Sequence, residues 1–468
     1  MAADAVDVAI VGGGIAGLSA AHTLNTLGVP HVLIEASDRL GGVVRTERVE
    51  GFVLEAGADA MLVQKPAAVA LAREIGLGDR LIPTNPTMKT VFILHRGRLR
   101  ALPDGMMLGV PTRFLPMVTT RLFSWPAKLR MAREILTRPG VGDADDDESI
   151  ASFLGRHFGR EAVERLGEPL LAGIHAGDPE QLSMASAFPR FVAMEKTHGS
   201  LIRAMWKGPR PKGAGFVSFP AGLSELTDAL AARVGRHARL GWPARVLRAT
   251  AAGWEIENAD GAVQMARALI LGIPAAAGAR LLGSVDAGLA EALGALRSVS
   301  TAVVYLGFRR ADIGHALDGY GVLIPRSEGL TASALTFVST KFPGRAPDGH
   351  VLLRAFFGGA REPGILDHDD ATLIARAVDE MDRVLGVRRA PVVARVFRWR
   401  DGTPQMDVGH AARMSWIDAQ ADAHPGLFLT GSGLRGTGIP DMVADGARQA
   451  RRAAAQLTGR AAGSEGSD

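Results

Sequence analysis

Cysteine is absent from the 468 residues, tyrosine occurs only twice, and no apolar run approaches the about 18 residues of a membrane-spanning helix. Without thiols there is no disulfide, no thiolate nucleophile, no cysteinyl flavin linkage and no cysteine-held metal. The same absence suits a reducing compartment. The segment Met1 to Asp7 lacks the basic start of a secretory leader, so the expected location is the cytoplasm. No basic run with interleaved aromatics marks a nucleic-acid surface. His157, His175 and His410 are scattered without ligand spacing, so no metal site is expected. The small, polar stretch from Gly459 to Asp468 is expected to be disordered.

What is present begins at the amino end. An apolar strand, Val6 to Val11, runs into glycines, a helix follows over Ile15 to Leu27, and a second strand covers His31 to Glu35. That is a βαβ unit. Strand-like alternation spans Pro86 to Leu102, and a mostly helical texture fills Met106 to Phe191, broken by Pro111, Pro116, Pro126 and Pro139. An acidic run, Asp143 to Glu148, leads to Ser149, a plausible cap for the next helix. From Phe219 the α/β texture returns, with a helix over Leu223 to Val234 and paired strands over Ala244 to Ile256. Further strands are expected at Leu269 to Ile273, Ser300 to Phe308, Gly321 to Ile324, Val351 to Phe357, Val392 to Trp399 and Leu427 to Thr430, with a closing helix over Met442 to Leu457.

Gly12, Gly14 and Gly17 form G-x-G-x-x-G between strand and helix, the arrangement that lets a pyrophosphate approach the backbone. Ile15 and Ala16 open that helix, whose free N–H groups and positive dipole end favour phosphate. Glu35, followed by Ala36, ends the second strand, where a carboxylate accepts ribose hydroxyls and disfavours a 2′-phosphate. These features suit NAD and FAD alike. Arg39 to Gly42 and Val43, with Arg45 and Thr46 behind, suit a longer cofactor, non-covalent FAD. The turn Gly57, Ala58, Asp59 and Ala60 adds main chain that can meet the flavin. The run Gly431 to Pro440 joins a strand to a helix, so a positive helix end can face the pyrimidine edge of the ring.

Several strings carry a more specific likeness. Gly177-Asp178-Pro179-Glu180-Gln181-Leu182-Ser183 with Phe188-Pro189, Phe342 to Pro347, Phe356 to Arg361, Pro404-Gln405 with Gly409-His410, and Gly436 to Asp441 together resemble the protoporphyrinogen oxidase family of FAD enzymes, over nearly the whole chain. The resemblance implies oxidation of a porphyrinogen to a porphyrin in haem biosynthesis. Protoporphyrinogen IX is expected ahead of coproporphyrinogen III, with O2 as electron acceptor. The flavin takes the hydride, and no catalytic side chain is required. The resemblance further places Leu170 and Gly173 below the substrate, Phe356 against a pyrrole, Val246 on the adenine side, Trp399 beside the flavin, and Ser432, Thr437, Gly438 and Ile439 along its ring. This chain departs from the family pattern mostly at the pocket. Val91 stands where family members often carry a propionate-binding arginine, His175 replaces an aromatic, Met406 a tyrosine and Ser333 a leucine, while Ser432 and Leu434 replace an asparagine and a tyrosine.

The expected fold is α/β: a discontinuous Rossmann-type FAD-binding domain (1–83, 211–295, 401–458), a mixed-sheet substrate domain (84–105, 296–400), a helical insertion (106–210) and a tail (459–468). Met106 to Leu136 interleaves apolar residues with Arg113, Arg121, Lys128, Arg130 and Arg133, a pattern suited to peripheral contact with an anionic membrane, on the inner face of the cell membrane. A homodimer is left open. Three rival readings also stay open: a flavin amine oxidase, a carotenoid desaturase-like oxidase, and a non-catalytic flavin-binding protein.

Overall fold

The computed structural model describes residues 5–107, 110–139, 147–208 and 215–459. The expected tail beyond 459 and residues 143–146 of the acidic run lie outside the described residues. Ser149 caps helix Ile150–Phe158, its hydroxyl accepting from Ser152 N at 3.1 Å.

The first sheet is built around strand Val6–Val11, which lies parallel to His31–Ile34 on one side and Val263–Leu271 on the other. From Val8 to Val11 its residues are apolar and buried on both faces, as a central parallel strand requires. Val8 and Ile10 pack into one core with the helix behind the glycines, while Ala9 and Val11 pack into a second core on the opposite face. The short strand Ala238–Arg239 extends the sheet beyond His31–Ile34. The other edge of Val263–Leu271 is shared: Gly253–Asn258 pairs antiparallel with its first half and Leu427–Leu429 parallel with its second. Segments more than 400 residues apart therefore complete one layer. Helix Ile15–Thr26 and helix Ile439–Leu457 lie side by side, with Ser19 Oγ donating to Val443 O at 2.8 Å. The closing helix starts three residues before the Met442 expected from sequence, because Pro440 fits its first turn and Asp441 bonds back to Gly438 N at 3.2 Å.

The second sheet has seven strands, in spatial order Val393–Pro404, Ser298–Arg309, His350–Gly358, Ala334–Phe337, Gly319–Leu323, Thr90–His95 and Arg98–Ala101. Its back is covered by helix Asp370–Leu385, which packs on Ala302, Val304, Leu335 and Ala355. The front presents the alternate residues. Register places Val303, Phe356, Ala334, Leu323 and Ile93 in one row, and Tyr305, Arg354, Thr336, Gly321 and Val91 in the next. Phe52, Leu54 and Ala56 of the cofactor half pack on Val303, Tyr305 and Phe397 of this front, and the helical segment packs on Ile93 and Leu323, with a core including Phe153, Phe158, Leu166, Leu171 and Phe191. No helix among the described residues is long and apolar enough to cross a membrane.

A buried charge cluster holds the helical segment together. His157 bonds through Nδ1 to Glu134 and through Nε2 to Glu195, each at 3.0 Å. Glu134 also accepts from Ser200 Oγ at 2.8 Å and Leu201 N at 2.6 Å. Burial works against the imidazolium, but the bonds to both carboxylates outweigh it and raise its pKa above the ordinary 6.5. A group with a raised folded pKa stabilises fully below its unfolded value and loses that contribution as pH rises through the folded one. Thermal unfolding should therefore show stability falling as pH climbs above about 6.5. His157→Gln should lower Tm most at pH 6 and flatten the slope, at a cost on the order of 3 kcal/mol. An unchanged slope in the variant would remove His157 as its source.

Candidate functional site

The glycine loop is shaped by backbone meeting backbone. A Cβ on Gly17 would sit 1.9 Å from Gly12 O, and one on Gly12 would sit 2.3 Å from Gly272 O. Above Gly14, by contrast, the space is open for 4 Å. No side chain caps helix Ile15–Thr26. The amides of its first turn, including those of Ile15 and Ala16, are thus left to an anion. Glu35 braces the loop: Oε2 accepts from Gly13 N at 2.7 Å, and Oε1 accepts from Ser37 N and Ser37 Oγ, each at 2.8 Å. Ala36 beside it is exposed.

The other cofactor residues converge on this loop. A Cβ on Gly42 would come within 3.0 Å of Gly14 Cα, and one on Gly57 within 2.6 Å of Val43 O. Val43 and Ala58 are exposed, while Asp59 and Ala60 are half-buried. Arg39 donates to the carbonyls of Leu40 and Gly42, and Arg45 pairs with Glu47 at 2.6 Å. Trp399 Nε1 donates to Ala56 O at 2.7 Å, tying the second sheet to this turn. Ser432, Thr437 and Gly438 are half-buried ahead of the closing helix, with Ile439 buried at its first position. Val246 is half-buried on strand Ala244–Thr250, beside an irregularity in its pairing. An open, uncapped glycine loop with a ribose-type carboxylate beside it fits a dinucleotide such as FAD.

The expected substrate residues form the opposite wall. A π-helical turn, Val163–Gly167, feeds helix Glu168–His175, which crosses the front of the second sheet. Leu170 and Gly173 are half-buried on it, and a Cβ on Gly173 would meet Leu323 Cδ2 at 3.4 Å. The helix therefore sits close over the row that contains Phe356. Phe356 is half-buried, with the Arg354 guanidinium 4.3 Å from its ring centre. Val91 is half-buried next to Gly321. The His175 ring meets Phe188 edge-on at 5.7 Å, and burial, helped by Lys65, pushes its pKa down to about 4. It stands as a neutral, largely apolar wall at physiological pH. Ser333 is buried, its hydroxyl 3.4 Å from Phe356 O, and so supports Phe356 from behind.

One cluster went unread in the sequence. Asp59 pairs with Lys341 at 2.9 Å and Arg354 at 3.0 Å, and Arg354 also donates to Tyr305 Oη at 3.1 Å. Tyr305 donates to Glu55 O at 2.9 Å, and Arg345 lies 3.4 Å from the Glu55 carboxylate. Burial alone would raise the pKa of Asp59, but Arg354 and Lys341 hold it well below the usual carboxylate range. Burial pushes Glu55 up to about 7, against the pull of Arg345. Arg354 and Phe356 share one face of a strand two residues apart, which is the signal that could have joined them.

The comparisons with known proteins agree with this geometry. The flavin containing amine oxidoreductase family matches residues 15–457. The coproporphyrinogen III oxidase of Bacillus subtilis (strain 168) is 33% identical over 94% of this chain and 96% of its own. The protoporphyrinogen oxidase of Nicotiana tabacum chloroplasts is 30% identical over 93% of this chain and 83% of its own. A crystal structure from Exiguobacterium sp. 255-15, described as a candidate protoporphyrinogen oxidase, superposes with a TM-score of 0.86 at 31% identity, covering 98% of this chain and 100% of that one.

Replacing Glu35 tests the cofactor wall. Glu35→Ala should weaken FAD binding by about tenfold to a hundredfold, since a hydrogen bond to a charged group contributes roughly 1.5–3 kcal/mol. Titration of the apoprotein, followed by flavin fluorescence, reads the change. Unaltered affinity would dismiss the ribose role.

Proposed function

The chain belongs to the flavin-containing amine oxidoreductase family and to the protoporphyrinogen oxidase group within it, and on that premise we propose that it oxidises a porphyrinogen to the porphyrin with O2 as acceptor, in haem biosynthesis. The observation that supports the reading is that helix Glu168–His175 lies across the front of the second sheet beside the row of Phe356. The residues that meet there, Gly173 and Ala334, are small, and Phe356 pairs with Ala334. Bound FAD supplies the two-electron acceptor.

The chain's own residues bind and orient. The amides of Gly14, Ile15, Ala16 and Gly17 receive the pyrophosphate and Glu35 the ribose. Leu170, Gly173 and Phe356 hold the macrocycle flat, a positioning role that needs no acid or base. The neutral His175 and the small Val91 leave this wall without a cation where the family often has one. The sequence resemblance put protoporphyrinogen IX first. The relatives from Bacillus subtilis and Propionibacterium freudenreichii carry the name coproporphyrinogen III oxidase, which favours that substrate here.

Peripheral membrane contact belongs to the same reading. Phe114, Leu115, Trp125 and Leu129 are 68%, 71%, 64% and 64% exposed, and Phe114, Trp125 and Leu129 line an apolar cavity of about 150 Å³ with Arg113 and Lys128. An apolar surface edged with cations suits an anionic bilayer, here on the cytoplasmic side.

Two measurements decide. Anaerobic flavin bleaching with coproporphyrinogen III and protoporphyrinogen IX in parallel should be fast with the former, with porphyrin fluorescence appearing when air is admitted. Bleaching by neither, while dithionite still reduces the flavin, would rule out a porphyrinogen substrate. Separately, Leu115→Asp with Leu129→Asp should abolish co-sedimentation with phosphatidylglycerol vesicles and leave anaerobic bleaching intact. Equal sedimentation of variant and parent would refute the membrane assignment.

A further inference from the structure

The buried cluster between the two halves does not balance. Among the described residues, Lys341, Arg345 and Arg354 face only two carboxylates, Asp59 and Glu55. All five side chains are at most 15% exposed. Two guanidinium nitrogens inside it, Arg354 Nε and Arg345 Nη1, are buried without a hydrogen-bond partner. Burial leaves Glu55, with its pKa near 7, only part of a negative charge at neutral pH. An unmatched buried cation is costly unless an anion arrives to share the site.

Position says which anion. Asp59 lies two residues past Gly57, in the turn that meets Val43, whose neighbour Gly42 lies against Gly14 of the cofactor loop. Trp399 fixes the same turn through Ala56 O. Arg354 stacks on Phe356, and its remaining bonds go to Tyr305 and Asp59 on the cofactor side of the sheet, away from Val91. We infer that the surplus positive charge of Lys341, Arg345 and Arg354 is kept for the flavin: it stabilises the reduced, more negative cofactor and raises its reduction potential. In this arrangement Lys341 and Arg354 are positioning residues acting on the cofactor's electronics, and Asp59 tempers them. The inference rests on flavin binding and not on the identity of the substrate.

The test reads the flavin potential of purified holoenzyme, by equilibration with a reference dye and no porphyrinogen present. Lys341→Met should lower the reduced-to-oxidised ratio at fixed poise about tenfold, ~30 mV for a two-electron couple. Asp59→Asn should move it about as far the opposite way, since the two charges have opposite sign. Lys341→Arg keeps the charge and should restore the parent value, which guards against a variant that merely packs badly. A loosened site would shift Lys341→Met and Asp59→Asn in the same direction, and that result overturns the inference. So does an unchanged potential accompanied by a raised KM for porphyrinogen, which would assign the surplus charge to the substrate's carboxylates. Failure of porphyrinogens to bleach the flavin would leave these potentials readable, so the two readings fail separately.

Discussion

Gly12, Gly17 and Gly446 hold pieces of backbone together where a single methyl group would force them apart. A Cβ on Gly446 would lie 2.2 Å from Ala16 O, as close in kind as the approach of Gly17 to Gly12. Because these contacts are backbone on backbone, no rotamer change can relieve a larger residue. They set the closing helix against the fingerprint helix, which aims both helix starts toward one loop. The open space above Gly14 exists because its neighbours are packed this tightly. The position of the cofactor, and so of everything facing it, follows from that contact.

The second half is attached to this frame by an apolar seam, with Phe52, Leu54 and Ala56 packed on Val303, Tyr305, Leu352 and Phe397, and by directional bonds across it. Tyr305 reaches Glu55 main chain, Trp399 reaches Ala56, and Lys341 and Arg354 reach Asp59. An apolar seam can slide, whereas directional bonds define one separation between the halves. Helix Glu168–His175 is pinned likewise: Ala176, just past its end, accepts from Ala360 N at 2.8 Å, and Arg361 holds Glu168 at 2.7 Å. The helix is therefore fixed against the sheet by bonds at both of its ends.

Local signals were readable from the residues alone. Val6–Val11 falls where its apolar run placed it, and Ser149 caps as its residue type suggested. Helix Asp370–Leu385 was passed over although Asp369 caps it and Gly386 ends it in the left-handed region, so that omission was avoidable. What could not be read was register. Whether Val91 lies beside Gly321 or a bulkier residue depends on how seven strands align, and nothing in the segment Pro86 to Leu102 encodes its partner. Asp59 was expected only as main chain in a turn. Its role depends on Lys341 and Arg354, which lie 282 and 295 residues away.

The seating of the closing helix has a consequence for synthesis. Ser19 and Val443 are hydrogen-bonded partners 424 residues apart. At roughly 5–20 residues per second, about 20 to 85 seconds pass between their emergence from a ribosome. Through that interval the fingerprint helix has its face but lacks its neighbour, and the sheet lacks the strand Leu427–Leu429. The amino-terminal unit must wait, half-covered, while the substrate sheet and helical segment fold as units of their own. A nascent chain of this design would be exposed to aggregation until its last forty residues appear, and would be a natural client for chaperones that shield apolar surface during translation.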